Sequence, residues 1–151
     1  MPITRESLKT IPTSFATVSI GSTDDPLEEK LKALSNAGFS AVELGFPDLV
    51  SFASRRAGEE VQENDYEKLC VAATEVRQLC KEQGLGIMML QPFTNFEGWP
   101  RGPEKRDNAF SRARGWIKIM KAADIKMLQI GSSTLKTSLQ TSMYWLPISG
   151  S

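Results

Sequence analysis

Three times along this chain a helix-patterned stretch stops at a short joint and gives way at once to an apolar run. Ala37-Gly38-Phe39 leads into Ala41-Val42-Glu43-Leu44, and Gln83-Gly84-Leu85 leads into Gly86-Ile87-Met88-Met89-Leu90. Ala123-Asp124-Ile125 leads into Lys126-Met127-Leu128-Gln129-Ile130. A β-rich run from Ser14 to Gly21 opens the series. The spacing predicts the order β-α-β-α-β-α-β, with strands near residues 14–20, 41–45, 86–91 and 126–131. Strands separated by helices pair in parallel through right-handed crossovers. Their apolar character at both positions of the alternation suits a sheet covered on both faces.

The helices can be placed from their own signals. Asp25 is a candidate cap, Pro26 suits the first helical position and Glu28 completes a capping-box spacing. Leu27, Leu31 and Leu34 recur at helical intervals with Lys30 and Lys32 between them, and Gly38 is the stop. The polar stretch from Pro47 to Asn64 is predicted as a long loop holding a short helical turn. Asp65 can cap the next helix, whose apolar side reads Leu69, Ala72, Ala73, Val76 and Leu79. A further helix is expected from about Arg106 to Ala123, with Phe110, Ala113, Trp116, Ile117 and Met120 on its apolar side.

Two α/β architectures accommodate this order. A small flavodoxin-like sheet would place the first strand at the centre, in the order 2-1-3-4. A nucleotide-binding version would carry a glycine-rich first turn, and Gly21-Ser22-Thr23-Asp24-Asp25 fits neither GxGxxG nor GxxxxGK[ST]. A barrel instead draws its ligand groups from the C-terminal ends of its strands, where Ser19, Glu43, Gln91 and Gln129 are the polar residues here. The fold class is therefore read as parallel (β/α) units forming the first half of a (β/α)8 barrel. Four strands are complete by residue 131, and a full barrel takes at least ~200 residues.

Composition removes several kinds of chemistry. The 151 residues include no histidine, which rules out Ser-His and Cys-His triads and HExxH zinc sites within them. Cys70 and Cys80 share one helical pattern and are read as buried thiols rather than a metal motif. No apolar run reaches the ~18 residues of a bilayer span, and Met1-Pro2-Ile3-Thr4-Arg5-Glu6 lacks a signal-peptide core, so a cytoplasmic location is expected. Eighteen basic and eighteen acidic residues cancel. The basic excess over 101–126 falls mostly on the polar side of the last helix, which is read as a solvated surface, with no nucleic acid or membrane as partner.

From Thr134 to Ser151 the chain carries Lys136 as its single charge and no acid. Residues 1–133 are read as the partial barrel domain and 134–151 as a divergent tail. An altered reading frame or a retained intron would produce such an ending; a loosely docked tail is the alternative.

Several segments together resemble a known family. Ser14 to Gly21, Leu27-Glu28-Glu29-Lys30-Leu31, Ala37 to Leu44 and Pro47-Asp48-Leu49 are similar to the opening of sugar phosphate isomerase/epimerase proteins with a xylose isomerase-like barrel. The run Leu90-Gln91-Pro92-Phe93-Thr94-Asn95-Phe96-Glu97-Gly98 resembles the third-strand segment of 3-dehydroshikimate dehydratases, above all the fungal quinate-pathway type. Leu128 to Ser133 is similar to the fourth strand. The resemblance covers residues 12 to 133 and implies a metal-dependent lyase converting 3-dehydroshikimate to protocatechuate. It implies a divalent ion, Mg or Mn, held by residues of later strands, so none is expected to bind well to this chain. The substrate it implies is a small hydroxylated or sugar-like molecule. Relatives often carry Arg where this chain has Thr94, and threonine cannot hold a carboxylate bidentately.

The candidate substrate-binding residues are Glu43, Gln91, Phe93, Asn95, Glu97 and Gln129; no catalytic residue is assigned. Each has a plainer reading. Glu43 could face a pocket or serve a structural pairing, and Gln91 poses the same choice. Phe93, Asn95, Phe96 and Trp99 could cover substrate or pack over the barrel rim. Glu97 and Arg101 could be a solvated pair, and Gln129 could bond inward or sit at the rim. Three functions compete: an inactive fragment of a lyase or a sugar isomerase/epimerase, a self-associating half-barrel acting as a binding module, and a minimal enzyme using Glu43 and Glu97.

Overall fold

A computed structural model of the chain describes residues 11–96 and 103–131. The strands are β1 (Ser14–Ala16), β2 (Ala41–Gly45), β3 (Gly86–Phe93) and β4 (Met127–Ile130). The helices are α1 (Leu27–Asn36), α2 (Phe46–Ala57), α3 (Tyr66–Glu82) and α4 (Pro103–Ala122). All neighbouring strands pair in parallel, in the order β1-β2-β3-β4. This is the sequential order of a barrel segment and not the 2-1-3-4 order of the alternative. The tail from residue 134 lies outside the described residues.

The three joints are one motif repeated. The amides of Phe39, Leu85 and Ile125 each donate to the carbonyl five residues back, on Leu34, Cys80 and Met120, at 3.2, 2.8 and 2.8 Å. The residue before each of them is left-handed: Gly38 at φ 86°, Gly84 at φ 71° and Asp124 at φ 56°. This Schellman closure satisfies the last helical carbonyls and aims the chain into the sheet. Asp124 takes the left-handed position in place of glycine, and its carboxyl, hydrogen-bonded by Lys126 and facing Arg77, is held below the ordinary carboxylate value.

Register separates the two faces of the sheet. The rows Phe15–Val42–Ile87 and Leu44–Leu90–Leu128 lie on one face, and Ala16–Glu43–Met89–Met127 on the other. Val42, Leu44 and Leu90 are buried with Leu31, Leu34, Leu49, Leu69, Val76 and Ile119 from the four helices, so the first face carries the core. The row of Glu43 is the face that would line a barrel interior.

Four details differ from the sequence reading. β1 stops at Ala16 and Thr17–Ser19 form a 3-10 turn. The Thr17 hydroxyl accepts the Gly45 amide at 2.9 Å and its carbonyl accepts Lys30 Nζ at 3.3 Å, which draws the chain out of the sheet. The stretch expected as a loop holds the 12-residue helix α2, whose buried side is Phe46, Leu49, Phe52 and Ala53. Asp25 does not cap α1; its carboxylate accepts the Ser22 amide at 2.6 Å within the preceding loop. On α4 the buried positions include Ala109, Trp116 and Ile119, while Phe110 and Ile117 are exposed.

Asp65 caps α3 as expected, accepting the Lys68 amide at 3.2 Å. Among the described residues no helix is long and apolar enough to cross a membrane. Both cysteines are free. Burial pushes the Cys80 thiol from the ordinary 9.0 up to about 12, and burial also raises Cys70, with Lys118 opposing. Thiolate is the reactive form, so iodoacetamide at pH 8 is expected to modify Cys70 slowly and Cys80 only after unfolding, as peptide mapping would read. The unfolded Cys80 thiol ionises near 9.0 while the folded one stays neutral. Its contribution to stability is therefore full below that pH and falls as pH rises toward 12. Equal labelling of both thiols in the native chain would contradict this burial.

Candidate functional site at the strand ends

Glu43 is the third residue of β2 and points to the face away from the helices. Ser14 Oγ on β1 donates to one carboxylate oxygen of Glu43 at 3.2 Å, and Gln91 Nε2 on β3 donates to the other at 3.5 Å. Three adjacent strands thus place a hydroxyl, a carboxylate and an amide side by side. Gln91 is buried and Glu43 and Ser14 are half-buried. Gln129 is exposed on β4 and follows the alternation of Met127, which sets it beside the Gln91 end of β3. Three of the candidate residues, Glu43, Gln91 and Gln129, therefore share one face.

The others lie elsewhere. Phe93 is 1% exposed and packs on Trp116, with ring centroids 4.9 Å apart. Trp116 in turn stacks on Phe46 at 4.2 Å. Phe96 lies 5.5 Å from Phe93. Asn95 is half-buried with φ 54°, and its carbonyl accepts Arg112 Nη2 at 2.9 Å, as does the Thr94 carbonyl. The Arg112 guanidinium also lies 5.1 Å over the Phe93 ring. Glu97, Trp99 and Arg101 lie outside the described residues. The polar Ser19 falls in the exposed turn after β1.

Neither Arg112 nor Trp116 was assigned to the site from the sequence, where Trp116 read as part of the apolar side of α4 and the basic residues as its solvated face. Arg112 and Trp116 clamp the end of β3 from the helix side and line a cleft of about 750 Å³ with Phe46, Val61, Tyr66 and Thr94. Burial raises the Tyr66 phenol above its ordinary value, with Arg112 opposing and Glu63 adding to the rise.

Beneath the site, Gly45 makes room for a crowded turn. A Cβ there would meet Val18 Cγ1 at 2.2 Å. Below it, Lys30 Nζ on α1 and Asp48 on α2 form a buried ion pair at 2.8 Å. The sequence reading set Lys30 only between the helical leucines, without assigning it a partner; it is 4% exposed.

The donor set does not fit a metal centre. Among the described residues no group of three or more His, Cys, Asp or Glu side chains could hold an ion. Glu43 is the carboxylate of the strand-end cluster, and both its oxygens are occupied by neutral donors. The cluster can accept and donate hydrogen bonds to a hydroxylated molecule; its parts do not include an ion cage.

Parallel β/α units in sequential order, with Gln91 and Gln129 toward the C-terminal ends of β3 and β4 and Glu43 midway along β2, are those of a barrel in which the strand ends form the site. Residues 31–144 match the family model described as xylose isomerase-like TIM barrel, and the chain belongs to that family. Its relatives include 3-dehydroshikimate dehydratases of Pseudomonas putida (36% identical over 88 residues, 58% of this chain and 11% of the relative) and Pseudomonas aeruginosa (30% over 126 residues, 83% and 16%). The 3-dehydroshikimate dehydratase of Neurospora crassa is 27% identical over 111 residues, 72% of this chain and 31% of the relative. Among solved structures, a xylose isomerase-like TIM barrel/4-hydroxyphenylpyruvate dioxygenase fusion protein superposes with TM-score 0.61 at 28% identity, over 81% of this chain and 16% of that one. The chain thus spans between 11% and 31% of the length of these curated relatives.

Proposed function

We propose that this chain supplies the first four β/α units of a 3-dehydroshikimate dehydratase, and that the 151-residue polypeptide alone does not turn substrate over. The observation that carries the reading is the Ser14–Glu43–Gln91 cluster on the open face of the sheet. Its role is to hold hydroxyl groups of a small hydroxylated substrate, with Gln129 at its edge; Phe93 and Asn95 shape the strand end beside it, and Glu97 is a further candidate for substrate contact. On this reading residues 1–133 are the barrel portion and 134–151 a divergent tail, with the family match itself running from residue 31 to 144. The relatives' names support the substrate, and the family resemblance supports a divalent ion, Mg or Mn, bound by side chains beyond those described. Lewis-acid catalysis needs an ion fixed by several ligands, and one hydrogen-bonded carboxylate does not fix one.

The purified polypeptide, incubated with 3-dehydroshikimate and manganese, is expected to generate no absorbance of the aromatic product. A chimera in which residues 12–131 replace the matching segment of the Neurospora crassa relative is expected to turn over. In that chimera Glu43→Gln should lower kcat/KM by about 10- to 100-fold, the worth of a charged hydrogen bond to substrate. Turnover by the isolated polypeptide that Glu43→Gln abolishes would overturn the fragment part of this reading. A folded chimera without turnover would overturn the substrate.

A further inference from the structure

Among the described residues, β1 pairs on one side only, with β2, and β4 on one side only, with β3. Within the described residues the sheet therefore presents two open edges, each a row of backbone groups ready to accept a strand. Both edges run in the same direction because all four strands are parallel. The helix-covered face is already filled by its own core, whereas the opposite face exposes its apolar row. Met127 of that row is 46% exposed and pairs with the half-buried Met89.

We propose that this polypeptide associates with a second copy of itself, β4 of each chain pairing with β1 of the other to close an eight-stranded barrel. The geometry selects this partner. A two-fold axis parallel to the strands brings β4 against β1 of the partner and, by the same rotation, β1 against β4 of the partner. Both new ladders are parallel, as the existing ones are. Four strands from each copy give the eight at which a barrel interior is just filled by side chains. The two open edges are removed together, and both copies' Ala16–Glu43–Met89–Met127 rows become interior. A face-to-face stack of two sheets would bury the apolar row but leave every edge open. The contact is closed, so association stops at two chains.

Light scattering on the purified 151-residue chain at micromolar concentration is expected to give twice the 16.7 kDa single-chain mass, falling toward the single-chain mass on dilution. Met127→Lys should shift the mass to that of one chain. Val71→Lys, on the exposed side of α3, should leave it doubled. Hydrogen exchange of the unaltered chain supplies a readout independent of whether the variants fold: amides of residues 14–16 and 127–130 should gain protection with concentration. A folded single-chain species at every concentration would overturn the proposal. So would large polydisperse species, or a dimer whose edge amides do not change protection. Catalysis enters none of these measurements, so their failure is separate from failure of the dehydratase reading.

Discussion

Replacing Asp48 with alanine is expected to cost the folded chain about 3–5 kcal/mol, the loss seen when one partner of a buried ion pair is removed. The side chains of Lys30 and Asp48 are 4% and 2% exposed, and their charged atoms lie 2.8 Å apart. Without Asp48 the Lys30 ammonium keeps, among the described residues, the Thr17 carbonyl at 3.3 Å as its hydrogen-bond partner, in surroundings that exclude water. The pair also connects three pieces of chain: α1 through Lys30, α2 through Asp48 and the end of β1 through Thr17. Asp48 adds a favourable position in the first turn of α2, where a negative charge meets the positive end of the helix. Its second oxygen is buried without a hydrogen bond, so the pair is not fully compensated. That makes the double replacement informative. Lys30→Met with Asp48→Leu should recover most of the loss, because two apolar side chains of similar volume need no solvation. Urea unfolding of the single and double variants measures both numbers. A single-variant cost below about 1 kcal/mol would show that the pair is solvated, against its burial.

This pair also marks the limit of what the sequence discloses. The strand order was legible because each helix ends in the same joint, and a Schellman closure leaves a local signature in Gly38 and Gly84. Asp124 gives the same geometry without the glycine, and there the apolar run of β4 carried the signal. Lys30 was given no role although its position is informative: it stands three residues after Leu27 and four before Leu34, within the apolar stripe. A lysine there demands a buried acid, and Asp48, eighteen residues away, cannot be picked out by local pattern. Helix α2 was missed because Arg55, Arg56, Glu59, Glu60 and Glu63 outweigh the apolar spacing of Phe46, Leu49, Phe52 and Ala53. At the site, Glu43 and Gln91 were readable because a charged or amide side chain ending an apolar strand is costly unless something meets it. Ser14 was not, since a serine in a β-rich run has no such cost. Arg112 and Trp116 act through contacts between α4 and the end of β3, which only packing reveals.

Trp116→Ala is expected to destabilise the chain by about 3–5 kcal/mol, in the range for truncating a large buried aromatic. Trp116 is 5% exposed and lies between Phe46 at 4.2 Å and Phe93 at 4.9 Å, so it joins α2, β3 and α4. It also forms part of the wall of the cleft of about 750 Å³. Its removal would open that cleft into the core, where neighbouring backbone elements cannot collapse far enough to fill the space. The effect should reach the site, because Phe93 stands two residues after Gln91 on the same strand. With Trp116 gone, Phe93 retains Phe96 and the Arg112 guanidinium on one side and loses its packing on the other. Hydrogen exchange should then quicken at residues 91–95 more than at 41–45, although both segments belong to one sheet. Trp116→Phe keeps an aromatic ring between Phe46 and Phe93 and should cost less on both measures. A uniform rise in exchange across the sheet would show that Trp116 contributes only to global stability and does not hold the strand that carries Gln91.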